Sequence, residues 1–110
     1  MPATDVLLVY NTVPDRDTGL KIADALVEYK LAACVSLLPG LVSTYRWKGE
    51  IHHDDECLLM IKTRRADYRA VENSLRQLHP YELPEIIAVP PSDGLPDYIS
   101  WILDSLDKPV

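Results

Sequence analysis

The first gathering of apolar residues is unbroken: Val6-Leu7-Leu8-Val9-Tyr10, bounded by Asp5 and by Asn11-Thr12. A run apolar at every position predicts a strand covered on both faces. Behind Pro14-Asp15 the pattern changes period. Ile22, Ala23, Leu26, Val27 and Lys30 recur at three- and four-residue steps, with Arg16, Asp17, Lys21, Asp24 and Glu28 on the other side. That is an amphipathic helix from about Asp15 to Tyr29.

Ala33 to Leu38 and Leu41 to Trp47 read as one extended stretch interrupted by Pro39-Gly40, a pair that suits a bulge. Lys48-Gly49 offers a turn. The chain returns through Glu50 to Thr63, and Cys57-Leu58-Leu59-Met60-Ile61 is apolar on both pleat faces, so it too is expected to be buried on both. Tyr68, Val71, Leu75 and Leu78 form a second helical stripe ending before His79-Pro80. Glu85 to Val89, between Pro84 and Pro90, fits a short fourth strand, and Leu95, Tyr98, Ile99, Ile102 and Leu106 mark a last helix with Pro96 in its first turn.

The order predicts an α+β, ferredoxin-like βαββαβ domain with a long β-hairpin and an extra C-terminal helix, and both main helices on one face of an antiparallel sheet. The single domain spans 1–110. Strand length adds an inference about assembly. Fifteen residues from Ala33 to Trp47, at ~3.3 Å each, would reach roughly 50 Å. A compact domain of this size is only roughly 34 Å across. A protruding ribbon would expose Leu41, Val42, Tyr45, Trp47 and Ile51, which predicts self-association. The alternative is a strand broken at Pro39-Gly40, with both pieces folded back on the domain.

Composition narrows the partners. Seventeen acidic against 11 basic residues give a net charge of -6, which repels the phosphate backbone of nucleic acid on average and favours cations. No stretch approaches a membrane span and Met1 to Tyr10 lacks a secretory pattern, so a cytoplasmic protein is expected. Cys34 and Cys57 have neither CxxC spacing nor, by hairpin register, a common position. Pairing about Lys48 sets Cys34 opposite roughly Lys62, so two free thiols are expected.

Several segments resemble the CutA divalent-cation-tolerance family over nearly the whole chain: Leu31 to Val35, Leu38-Pro39-Gly40, Tyr45-Arg46-Trp47-Lys48-Gly49-Glu50-Ile51, Leu59 to Thr63, and above all His79-Pro80-Tyr81-Glu82-Leu83-Pro84-Glu85. The resemblance implies a homotrimer held through the long hairpin and a link to tolerance of divalent cations, copper in particular. The family's name records a phenotype rather than a reaction. Copper-associated members carry a cysteine at the end of strand one and a second histidine just before the HPY segment; here those positions are Asn11 and Leu78.

His79 is the candidate metal ligand, for copper(II) or another divalent cation, because the helix end and Pro80 fix its imidazole. The alternative is a structural ring bonded to a backbone carbonyl or to Glu82. Tyr45, Trp47, Tyr81 and Trp101 are candidates to line a ligand cleft between subunits, with Glu56, Lys62 and Glu85 as its charged groups, against plain interface packing or a solvated rim. His52 and His53, adjacent on a strand, point to opposite faces, whereas Glu50, His52 and Asp54 share one. No nucleophile elbow, HExxH or phosphate loop occurs, which makes an enzyme the minority reading and indicates no organic cofactor. Two further readings stay open. One is a trimer sensing a small molecule or nucleotide, like the similarly folded PII proteins, for which Lys62, Arg64 and Arg65 would gather at the cleft. The other is a scaffold binding a protein partner.

Overall fold

The computed structural model describes residues 3–107. After a 3₁₀ turn at Ala3–Asp5 come β1 (Val6–Val13), α1 (Arg16–Glu28), β2 (Cys34–Trp47), β3 (Glu50–Arg64), α2 (Tyr68–Leu78), β4 (Ile87–Val89) and α3 (Pro96–Leu106). The strands form one sheet in the order β2-β3-β1-β4, antiparallel throughout. This is the expected α+β, ferredoxin-like arrangement.

Local chemistry sets the element ends. The Asp15 carboxylate accepts from the Thr18 N–H at 2.8 Å, which caps α1. Lys30, at φ 56°, then takes the left-handed turn that lets Leu31 N–H reach the Leu26 carbonyl at 2.9 Å. At the hairpin tip Lys48 and Gly49 have φ 51° and 83°, the paired positive angles of a tight two-residue β-turn.

Helices α1 and α2 cover one sheet face. Ile22, Leu26, Val71 and Leu75 pack there on Val9, Val13, Leu59 and Ile61, all buried. On the opposite face α3 covers only one end, where Ile99, Ile102, Leu103 and Leu106 close over Val6. The rest of that face is open: Leu8, Tyr10, Leu58 and Met60 are half-buried, while Leu38, Ile87 and Val89 are exposed. The expectation that strands one and three are buried on both faces is therefore corrected for this chain. Their apolar runs reflect one face under helices and one face left uncovered.

Three boundaries also differ. Strand one continues through Asn11-Thr12-Val13, because pairing with Leu59, Leu58 and Cys57 holds these residues, two of them polar, in the ladder. Strand four is confined to Ile87–Val89, the residues of the segment after His79 that pair with β1. The first helix begins at Arg16 and stops at Glu28, with Asp15 and Tyr29 as its caps.

The hairpin is continuous. Its register slips once, between Leu38↔Leu58 and Leu41↔Glu56, where Pro39 and Gly40 form a bulge with Gly40 at φ 83°. Cys34 lies opposite Lys62, as register arithmetic predicts, and both cysteines are free. Because the strand does not fold back at the bulge, the hairpin stands out from the body and stretches the chain to 47 × 28 × 22 Å.

Candidate functional site

Beyond the bulge, the hairpin faces the segment 79–86 that leads from α2 into β4. Between them lies a cleft of about 670 Å³. Tyr45 and Trp47 of β2 and Asp54 and Glu56 of β3 form one wall; Tyr81, Glu82, Leu83 and Glu85 form the other, with Thr12 nearby. Alternation on β3 puts Glu50, His52, Asp54 and Glu56 on one face, so the carboxylates at 54 and 56 follow directly from strand periodicity.

His79 fixes the second wall. It is buried, and its Nε2 donates to the Thr12 carbonyl at 2.7 Å while Nδ1 accepts the Tyr81 N–H at 3.2 Å. Its ring also lies 4.7 Å from that of Tyr81, tilted by 55°. These bonds define the neutral ring with its proton on Nε2. Both nitrogens are thus engaged, and for His79 to ligate a metal one of these two bonds must open. The observed arrangement, a bond to a backbone carbonyl, is the structural alternative named from the sequence; Glu82 is not its partner.

Two tyrosines hold two of the carboxylates. The Tyr81 hydroxyl donates to Glu56 Oε2 at 2.7 Å, and the Tyr45 hydroxyl donates to Asp54. Burial, reinforced by the Glu56 carboxylate, pushes the Tyr81 phenol far above its ordinary range, so the hydroxyl stays a donor. Tyr45 also stacks on His52 across the hairpin, with ring centroids 5.5 Å apart. Glu56 is only 8% exposed, whereas Asp54, Glu82 and Glu85 are open to solvent.

Among the described residues the lining carries four carboxylates and no Lys, Arg or His. Among the described residues, no three His, Cys, Asp or Glu side chains come together as a metal centre, the Glu50, His52 and Asp54 trio included.

Five of the cleft candidates therefore meet: Tyr45, Trp47, Glu56, Tyr81 and Glu85. Two do not line it in the single chain. Lys62 lies farther down β3, where its ammonium donates to Ser36 Oγ at 2.5 Å and stands 3.7 Å from Cys34 Sγ. Trp101 sits on α3 and stacks on Tyr98 at 5.7 Å. Nor do the basic residues gather at the cleft: Arg64 pairs with Asp67 at 2.6 Å and Asp107 at 3.0 Å, at the far end of the strand. Sequence reasoning missed Glu82 and Thr12 as lining residues. Their only signals were proximity to His79 and the polar Asn11-Thr12 step after an apolar run.

Comparison with known proteins places the chain and its fold in a family. A profile of the family described as CutA1 divalent ion tolerance protein matches residues 7–105. The chain is similar to the divalent-cation tolerance protein CutA of Thermus thermophilus, with 43% identity over 92% of this chain and 96% of the relative. It is 41% identical to the chloroplastic protein CutA of Arabidopsis thaliana over 90% of this chain, but spans only 54% of that relative's length. The crystal structure of CutA from Xylella fastidiosa superposes with a TM-score of 0.91 at 48% identity, over 94% of this chain and 99% of that one. A profile match over most of the chain, with the same fold in a relative of this identity, has one meaning: the chain belongs to the CutA1 divalent ion tolerance protein family.

Proposed function

We propose that this protein acts without covalent chemistry, binding a divalent cation, copper(II) or another, in the cleft between hairpin tip and the 79–86 segment, as a homotrimer. The observation that carries the reading is Glu56. It is 8% exposed, lines the cleft, and is not paired with any Lys or Arg among the described residues. A buried carboxylate is costly until a counter-charge reaches it, and three more carboxylates on the same walls raise the local concentration of cations. A hydrated divalent ion, keeping its waters, suits carboxylates that do not converge on one point. His79 contributes by holding the wall that carries Tyr81.

Self-association is supported by the open sheet face and by the exposed Val42 and Ile51 on the projecting hairpin. Light scattering of the purified protein tests it directly: the proposal requires three times the 12.4 kDa chain mass, and a monomer at micromolar concentration refutes it.

For the cation, copper(II) is titrated into tag-free protein against a competing chelator, beside Glu56→Gln and His79→Ala. Gln keeps the acceptor for Tyr81 and removes the charge. Saturable binding that weakens by about tenfold or more in Glu56→Gln supports the cleft. Unchanged binding in that variant excludes it.

A further inference from the structure

We infer that the cation the cleft is built for is an extended organic one, an aliphatic di- or polyamine, rather than a bare metal ion. This inference rests on the proposal that the cleft binds cations and narrows the chemical class.

A divalent metal stripped of its waters needs several oxygens converging at about 2.0–2.6 Å. The cleft has the charge for that and not the geometry, since its four carboxylates are spread over two facing walls and no three form a ligand cluster among the described residues. A volume of about 670 Å³ is also far larger than one ion requires and falls in the range of sites for small organic molecules.

The walls between the carboxylates are aromatic and apolar, with Tyr45, Trp47, Tyr81 and Leu83. Such surfaces take up methylene groups, and ring faces attract ammonium groups. The ammonium of the adjacent Lys48 stands 5.9 Å from the Trp47 ring centroid, so an ammonium can reach that ring.

An ammonium group suits the carboxylates as they stand. It brings three donors and asks for no convergence of charge, so one end can meet Glu56, whose Oε2 is oriented by the Tyr81 hydroxyl at 2.7 Å. A second ammonium, separated by a few methylenes, then reaches a carboxylate on another part of the wall. That no Lys, Arg or His lines the cleft among the described residues disfavours phosphate-bearing ligands by the same reasoning.

The test is calorimetric titration of the intact protein with 1,4-diaminobutane, spermidine and n-butylamine at fixed ionic strength, with copper(II) titrated in parallel. Glu56→Gln is compared with Asp97→Asn, which removes one charge at the exposed start of α3 outside the cleft. The expected result is saturable binding of one diamine or polyamine per chain, at least about tenfold tighter than n-butylamine. Glu56→Gln should lower it by at least about tenfold, and Asp97→Asn by less than about twofold. Equal affinity for the diamine and the monoamine overturns the inference, as does equal weakening by the two variants. If copper(II) binds and is lost in Glu56→Gln while no amine binds, the amine inference is wrong and the cation-binding cleft stands. If neither binds, both are wrong.

Discussion

Replacing His79 by Ala separates a ring that holds the fold from a ring that waits for metal. The wild-type imidazole satisfies two backbone groups from distant parts of the chain, the Thr12 carbonyl at 2.7 Å and the Tyr81 N–H at 3.2 Å. Truncation removes both partners at a site only 8% exposed. Each buried backbone group left unpaired costs about 1–3 kcal/mol, and partial rehydration recovers some of it, so the expected loss is about 2–4 kcal/mol. His79→Asn grades the argument. Its Oδ1 stands near the place of Nδ1 and still accepts from Tyr81, but nothing reaches Thr12, so about half of the loss is expected. The assay is guanidinium denaturation followed by far-ultraviolet circular dichroism, in excess chelator and at one protein concentration, since association makes apparent stability concentration-dependent. Metal-free His79→Ala unfolding within about 0.5 kcal/mol of wild type would refute the reasoning and leave ligation as the ring's purpose.

Other outcomes follow from the same geometry. The Tyr81 phenol is raised in the fold, by burial first and Glu56 second, so the folded state keeps its proton where the unfolded chain loses it. Stability from this group is therefore complete below the ordinary phenol value of about 10 and falls as pH rises above it, by at most ~1.4 kcal/mol per pH unit. Chemical denaturation between pH 8 and 11 should show that decline, and Tyr81→Phe should flatten it; an equal slope in the variant counts against the assignment. In Gly19→Ala the added methyl would stand 2.8 Å from Leu37 Cδ1 and 3.1 Å from Val13 Cγ2. Overpacking of about 1–3 kcal/mol then outweighs the ~1 kcal/mol gained in helix propensity, and thermal melting should show a lowered midpoint rather than a raised one. Arg64→Ala removes the links to Asp67, Asp107 and the Leu106 carbonyl together, and should speed hydrogen exchange in α3 more than in α1 or α2. Uniform exchange across the helices would show that α3 is held by its apolar contacts alone.

How much was legible beforehand differs between fold and site. Periodicity located the helices because a side chain's face depends only on its spacing along one element. It placed both strands of the hairpin, its turn at Lys48-Gly49 and the Cys34↔Lys62 register for the same reason. Where apolar runs were read as burial on both faces, the reading went beyond what a sequence holds. Leu58 and Met60 are only half-buried on the open face of the single chain, and no local pattern distinguishes such a face from one under a helix.

Aromatic residues of the hairpin tip and of the HPYELPE segment, and charged residues in or beside strands, were legible as cleft candidates from their chemistry, and five of them do meet in one cleft. Lys62 and Trp101 stand apart from that cleft in the single chain, because the strand carries Lys62 away from Glu56 and a helix turns Trp101 toward Tyr98. The sequence by itself determined the elements, the turn and the excess of negative charge, all of which are properties of composition and near neighbours. Tertiary structure alone decided that His79 Nε2 reaches the Thr12 carbonyl, and that Tyr81 reaches across 25 residues of chain to a buried Glu56. Such pairings depend on how strands and loops are brought together in space, which spacing along the chain does not encode.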